Sequence, residues 1–427
     1  MTAAVGNLPA MEALADSAGD DGVQVVVTVN GPGEVACWLY PLATELKRQI
    51  PGVRICVAVV PCTFSTGSEI SVLKSLPYVD ASCSISETKA LIMRNRLPEG
   101  FSRSAPGFII HLGGDSIFTW LLSMRLGLRC FAYAERPLAL QSRFEDVWYS
   151  GFEEIRGAAA RDAKIVGEMM VDAANMRVPD RAPLREGAMT VGLYPGSRDY
   201  LAKYFLPFYA AIAEEVAKTH PQVEWMLAKS DFLSLDFLRN LPSIHDGRPL
   251  DAVELRYEEA SGRQFLVTPK GIRIAISSPD EVGQRAKVAL SLPGSNTAEL
   301  SAIGLPMIIT LPTWWTETAP LPGLAGHVGR IPLLGKYIKR FLSYQVLKRL
   351  RFLSHPNRRT GRMVVPEVLG RITAPQVAEV VRDYLDRDTR PLEDELRAIM
   401  GPPGATGRFV SALTAYLKRP AERYETA

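Results

Sequence analysis

The stretch Ser291-Leu-Pro-Gly-Ser-Asn-Thr-Ala-Glu-Leu-Ser-Ala-Ile-Gly-Leu-Pro306 follows the apolar run Ala286-Lys-Val-Ala-Leu290. The run reads as a buried strand, the small polar residues as a loop, and the residues after them as a helix carrying Glu299. Strand, short loop and helix in that order are the building unit of a parallel α/β sheet. Gly294 lets a ligand approach the backbone, and the amides and dipole of a helix start favour an anion. Gly294, Ser295, Asn296 and Thr297 are therefore a candidate phosphate loop. Glu299, one turn in, would repel phosphate but accept hydrogen bonds from a vicinal diol such as a ribose, so a nucleotide diphosphate meets both demands. The plainer alternative is that Ser295 or Asn296 caps the helix and Glu299 complements its dipole.

The same logic recurs upstream. Met189 to Tyr194 reads as a strand, Pro195-Gly196-Ser197-Arg198 as its loop, and a helix follows to about Lys218, with further strands near Val223 to Ala228, Ile272 to Ala275 and Val288 to Leu292. Gly196, Ser197 and Arg198 are candidate donor contacts, because an always-charged guanidinium fork suits pyrophosphate oxygens. A surface salt bridge from Arg198 to Asp199 is the alternative. In the first half Val23 to Val29 is a β-branched strand ending in Asn30-Gly31-Pro32-Gly33-Glu34. A helix over Val35 to Arg48 and strands over Val53 to Val60, Phe108 to Leu112 and Arg129 to Tyr133 follow, with a helix over Ile117 to Gly127 between the last two. Two Rossmann-like doubly wound parallel sheets facing a cleft are the expected α/β architecture.

Length agrees, since 427 residues exceed one ordinary core and suit two domains. We assign 1–22 to a disordered lead, 23–177 to an acceptor-side domain, 178–187 to a Pro- and Gly-bearing linker, and 188–427 to a donor-side domain ending in a C-terminal helix. The polar stretch 240–270 has no clear pattern. A net charge of +3 gives no nucleic-acid signature. Five cysteines, odd in number and without a CxxC pair, fit reduced thiols in a cytoplasmic protein rather than a zinc site or disulfide frame, and no metal is expected. The first 22 residues resemble no signal peptide, and no run of 18 apolar residues occurs. The sequence leaves the oligomeric state open, a homodimer included.

Two further features point to chemistry. Asp115 follows Gly113 and Gly114 at a strand end, where a carboxylate could take a proton from an arriving substrate; as a helix N-cap it would need no catalytic role. His111, inside the apolar strand, reads as a packed core histidine. Asn30, Gly31, Gly33, Glu34, Gly114 and Glu135 are candidate acceptor-side contacts. Between Thr318 and Pro366 there is no acidic residue but ten basic ones, interleaved with aromatic and aliphatic side chains. This segment, 314–362, reads as an amphipathic surface for anionic headgroups through Trp314, Trp315, Lys336, Lys339, Arg340, Lys348, Arg349 and Arg351. A helix with one buried face is the alternative, and without a nucleic-acid motif no nucleic-acid partner is expected.

Several motifs, in order, resemble lipid-A-disaccharide synthase. They are Asn30-Gly-Pro-Gly-Glu34, Gly113-Gly-Asp115, Arg125-Leu-Gly-Leu-Arg-Cys-Phe-Ala-Tyr133, Ile165-Val-Gly-Glu-Met-Met-Val-Asp172, Leu193-Tyr-Pro-Gly-Ser-Arg198, Ser291 through Leu300 with Gly304-Leu-Pro306, and Val364-Val-Pro-Glu-Val-Leu-Gly370. The resemblance spans roughly residues 23–420. It implies a GT-B fold and an inverting, metal-independent transfer of a sugar from a UDP-sugar, which is a substrate, so that no cofactor is called for. By position Asp115 resembles the family's catalytic carboxylate, Arg198 its essential donor-site arginine and Glu299 its donor-side glutamate. The basic segment resembles the part that meets membrane lipid, placing the protein at the inner face of the membrane. Departures fall in the first half: Val35-Ala-Cys-Trp38 after Gly-Glu, Ala134-Glu-Arg-Pro-Leu-Ala-Leu140 after the Tyr-ending strand, and Gly167-Glu168. The expected acceptor is accordingly a related lipid or isoprenoid. A UDP-sugar 2-epimerase and a non-catalytic nucleotide-sugar-binding protein are the alternatives.

Overall fold

The computed structural model describes residues 22–61, 69–151, 163–179, 181, 187, 189–241, 251–312 and 351–417. Contacts divide the chain into two units, 1–172 with 403–427 and 173–402.

In the first unit seven parallel strands lie in the order β3-β2-β1-β4-β5-β6-β7. They are β1 (Gln24–Val29), β2 (Arg54–Val59), β3 (Ala81–Cys83), β4 (Gly107–His111), β5 (Arg129–Ala134), β6 (Asp146–Tyr149) and β7 (Lys164–Ile165). The chain winds outward from β1 to β3, then returns to the other side of β1 for β4. Every residue of β1 is buried, as a β-branched run covered on both faces must be. The helices are α1 (Pro32–Glu34, a π-helical turn Val35–Leu39, then Tyr40–Gln49), α2 (Glu69–Ser75), α3 (Ile85–Arg94) and α4 (Ser116–Leu126). Cys37, Cys56, Cys83 and Cys130 are buried free thiols; burial pushes Cys56 up to about 11 and Cys83 and Cys130 up to about 12. Thiols this reluctant to ionise suit the reduced state read from the sequence.

The helix α5 (Met169–Arg177) contains the division between units, five residues before the expected linker begins. Arg181, inside that linker, is pinned within the second unit: its guanidinium donates to the carbonyls of Gly283, Gly304 and Ala286 and pairs with Glu393.

The second unit holds eight strands in the order β10-β11-β12-β9-β8-β13-β14-β15. They are β8 (Thr190–Tyr194), β9 (Glu224–Ala228), β10 (Arg256–Ala260), β11 (Arg263–Val267), β12 (Arg273–Ser277), β13 (Val288–Ser291), β14 (Met307–Pro312) and β15 (Glu367–Gly370). From β12 to β15 the sheet is parallel and wound in the same sense as the first. Its helices are α6 (Asp199–Ala217), α7 (Leu235–Arg239), α8 (Pro279–Arg285), α9 (Asn296–Ala302), α10 (His355–Thr360), α11 (Ala374–Asp386) and α12 (Arg390–Met400). A core built on Phe205, Phe208, Tyr209 and Ile212 of α6 packs against the strands and Val377 and Val381 of α11.

Part of the unplaced stretch 240–270 is the antiparallel hairpin β10–β11. Ser261 and Gly262 both take positive φ, 52° and 74°, the two-residue turn whose twist matches a hairpin. Its strands are half exposed, so their sequence lacks the apolar run that marks a central strand.

The last helix, α13 (Ala405–Leu417), belongs to the first unit, whereas the sequence reading kept it with the second domain. Asp172 accepts the amides of Gly404 and Thr406, Arg408 Nε donates to Val166 O at 2.7 Å, and the Phe409 ring lies edge-on to Trp148 with centroids 5.3 Å apart. These partners lie more than 200 residues upstream, beyond the reach of local pattern. Each unit is thus a Rossmann-like sheet with helices, and two such units in one chain are the composition of the GT-B fold.

Candidate functional site

A doubly wound sheet has one place where the chain reverses direction across the sheet, and adjacent loops there part to leave a crevice at the strand ends. In the second unit it lies between β8 and β13, whose register pairs Tyr194 with Ser291. The loops leaving those residues are Pro195–Arg198 and Leu292–Ser295, the two singled out from the sequence. They pack side by side: a Cβ at Gly196, where φ is +89°, would lie 3.5 Å from Leu292 Cδ1 and 2.7 Å from Leu201 Cδ1. A φ of this kind is one that glycine adopts freely and other residues rarely do.

Neither candidate cap at α9 caps it. Ser295 makes no side-chain cap bond, and Asn296 Nδ2 donates instead to Ser291 Oγ at 2.7 Å, tying the loop to the end of β13. Thr297 turns inward: its fully buried hydroxyl donates to Gly294 O at 2.8 Å and accepts the His355 amide at 3.0 Å. Thr297 thus braces the loop from behind. Burial pushes His355 down to about 3, with Arg358 and Arg359 adding to the shift, so the imidazole stays neutral. Arg198 is half-buried at the start of α6. The neighbouring Asp199 is raised by burial and opposed by the Ser234 amide.

Glu299 faces Arg177, with Oε1 3.0 Å from Nη1 and both side chains about a quarter exposed. Asp280, at the start of α8 beyond β12, is raised by burial, lowered by Arg177 and raised by Asp231, which lies beyond β9. Tyr194 is raised by burial first and then by Glu299. The loop ends of β8, β9, β12 and β13 therefore share one electrostatic environment at the carboxyl edge of the sheet. Sequence reading missed Arg177, Asp280 and Tyr194. Asp280 could have been found by surveying every strand end, whereas Arg177 meets a partner 122 residues away and left no local signal.

In the first unit the reversal lies between β1 and β4. It gathers Asn30, Gly31, Gly33 and Glu34 from one loop and Gly113, Gly114 and Asp115 from the other. A Cβ at Gly113 would come 2.7 Å from Glu34 Cγ and 3.1 Å from Asn30 Oδ1; one at Gly114, where φ is +87°, would come 2.4 Å from Val60 Cγ2. The glycines bring the two loops together. Asp115 is exposed and accepts the Ile117 amide at 3.1 Å, so it does cap α4, with its other oxygen left over for further work. Behind it His111, 3 % exposed, has Nδ1 2.8 Å from Thr119 Oγ1, itself 2.7 Å from Thr28 Oγ1. Burial holds His111 down to about 4 against the pull of Asp115. It is the packed core histidine read from the sequence.

Glu135 follows β5, beside Tyr133, whose hydroxyl donates to Gly167 O at 3.0 Å and accepts the Met169 amide at 3.1 Å. Burial, then Glu168, then the Met169 amide and Glu135 set the Tyr133 shift, which is upward. The π-helical turn carries Trp38 edge-on to Tyr133 with centroids 5.8 Å apart. Trp38 and Glu168, two of the positions where the chain departs from the family's motifs, thus meet at one buried tyrosine.

Trp314, Trp315, Lys336, Lys339, Arg340, Lys348 and Arg349 lie outside the described residues. Arg351 is exposed, with its guanidinium 5.4 Å over the Phe352 ring. The described end of the basic segment is anchored by Glu367, which accepts the amides of Leu353 and Ser354 and the Asn357 side chain. No helix among the described residues is long and apolar enough to cross a membrane.

No family model matches the chain. It is 24 % identical over 238 residues to a lipid-A-disaccharide synthase of Anaeromyxobacter dehalogenans, which covers 54 % of this chain and 50 % of that protein. The chain therefore spans about half the length of this curated relative. Among solved structures it is similar to MurG of Acinetobacter baumannii (TM-score 0.46, 12 % identity, covering 92 % of this chain and 99 % of that one). It is also similar to MnaA of S. aureus with UDP (0.45, 12 %, 94 % and 98 %) and to a UDP-GlcNAc 2-epimerase of Neisseria meningitidis bound to UDP-GlcNAc (0.41, 12 %, 92 % and 100 %). TM-scores below 0.5 say nothing about chemistry. The curated match bears out the resemblance read from the motifs, and the chain is similar to lipid-A-disaccharide synthase at a divergent distance.

Proposed function

We propose that the chain is a nucleotide-sugar enzyme, and specifically an inverting glycosyltransferase that moves a sugar from a UDP-sugar to a lipid acceptor at the inner face of the membrane. The observation that carries this reading is the contrast between the two reversal points: one bears a cation and small polar residues, the other an exposed carboxylate. Arg198, with Gly196, Ser197 and the Gly294–Asn296 loop, receives the pyrophosphate, and its fixed charge offsets the charge that grows on UDP as it leaves. Glu299 accepts from the ribose diol. Asp115 takes the proton of the acceptor hydroxyl as that oxygen bonds the anomeric carbon and the bond to UDP breaks. The reaction needs no resident cofactor. Support for a lipid acceptor comes from the similarity to lipid-A-disaccharide synthase and from the acid-free basic segment.

The test is incubation of the purified chain with a panel of UDP-sugars and a membrane lipid extract. UDP release together with a glycosylated lipid is the expected result. Conversion of UDP-N-acetylglucosamine to its manno epimer without acceptor would replace the reading with a 2-epimerase, and tight UDP binding without turnover would leave a binding protein.

A further inference from the structure

The helix α4, capped by Asp115, is apolar on both faces. Thr119, Leu122 and Leu126 are buried in the first unit, while Ile117, Trp120, Leu121 and Met124 fall at i, i+3, i+4 and i+7 on the other side. Of these, Ile117 is 38 % and Met124 55 % exposed. Arg125 Nε donates to Ile92 O at 2.8 Å, which brings the end of α3 alongside and adds Met93, 77 % exposed. Solvent-facing apolar side chains in one group mark a contact surface.

The rim is predominantly basic. Between residues 85 and 134 the acids are Glu87, Glu99 and Asp115, against Lys89 and five arginines, of which Arg129 is paired with Glu145. Arg103 bridges the two helix ends, donating to Asn95 O at 2.9 Å and Arg125 O at 3.2 Å, and the Arg143 guanidinium stands 5.1 Å over the Trp120 ring. Arg94 and Arg96 are exposed beside Met93. A predominantly basic rim around an apolar centre complements a surface of uniform negative charge.

We propose that this face of α3 and α4 docks on an anionic phospholipid bilayer, with Met93, Ile117 and Met124 entering the interface and the arginines meeting headgroup phosphates. A lipid acceptor would then arrive at the end of α4 that carries Asp115. In that purpose the inference rests on the proposed function, but its test needs no donor.

The full chain is mixed with phosphatidylcholine vesicles with and without phosphatidylglycerol and floated. Binding only to the anionic vesicles, weakening as salt rises, is expected. Met93→Glu with Met124→Glu should lower partitioning roughly tenfold or more. Arg94→Gln and Arg96→Gln, both at exposed positions, should each lower it about fivefold. No binding by the unmodified chain, or equal binding by the methionine double variant, overturns the proposal. UDP affinity is measured on the same proteins: retained UDP binding with lost vesicle binding supports the docking surface, whereas absent UDP binding in the unmodified chain would sink the donor reading and leave the vesicle result standing.

Discussion

The two reversal points have the same topology and opposite chemistry. In each, the first strand of the sheet lies between the strand that follows it and the first strand after the reversal (β1 between β2 and β4, β8 between β9 and β13), a positive-φ glycine lets neighbouring loops close up, and a neutral buried histidine stands behind. What differs is a few side chains: Asn30, Glu34 and Asp115 in the first unit, Arg198, Ser295, Asn296 and an Arg177–Glu299 pair in the second. Topology dictates where a ligand can sit, and the loop residues dictate which charge it carries.

Asp115→Asn should break the comparison most sharply. Asn caps α4 as well as Asp does and cannot take a proton, so turnover should fall about 100-fold to 10,000-fold while UDP affinity holds. Near-normal turnover would reduce Asp115 to the cap already seen in its bond to Ile117.

The histidines test what the two regions share. His111 and His355 fall from an ordinary 6.5 to about 4 and about 3, because burial disfavours their cations. A depressed folded-state value means stability that is full above about pH 6.5 and lost as pH falls toward those values, since the unfolded chain binds the protons first. The losses are on the order of 3 kcal/mol for His111 and 5 kcal/mol for His355. His111→Gln should flatten the acid limb of the unfolding free energy, obtained from urea titrations at each pH, by up to about 1.4 kcal/mol per pH unit. An unchanged limb would mean that His111 binds its proton alike in the folded and the unfolded chain.

Arg198→Ala should weaken UDP binding by about 1.5 to 3 kcal/mol, as a charge-assisted contact to pyrophosphate is lost. Calorimetry giving the same affinity for both proteins would take Arg198 out of the site.

Much of this was legible in the sequence. The central strands were, because strands buried on both faces are β-branched runs, and the loops were, because glycine and small polar residues interrupt those runs at strand ends. The places of Asp115 and Arg198 at strand ends followed from that punctuation alone. The hairpin β10–β11 was not, since its half-exposed strands alternate too weakly to stand out. Nor was the placement of α13, fixed by Asp172 and Trp148, or the inward turn of Thr297, whose partner His355 lies 58 residues on. Each of these depends on contacts that only the folded chain brings together.

Arg177 is the smallest and most discriminating case, because it has no counterpart at the first reversal point among the residues gathered there. Its guanidinium holds Glu299 at 3.0 Å and lowers Asp280 against burial, so it fixes the direction of the carboxylate assigned to the ribose diol. The pair is partly solvated, and such pairs contribute about 1 kcal/mol or less. Arg177→Met should therefore weaken UDP about fivefold or less, and that loss should vanish when 2′-deoxy-UDP is the ligand. Arg177→Lys should restore part of it, since a cation remains though the fork is gone. If UDP and its deoxy analogue weaken equally in Arg177→Met, then Arg177 acts on the fold of the loop or on the phosphates, and Glu299 loses its claim to the sugar.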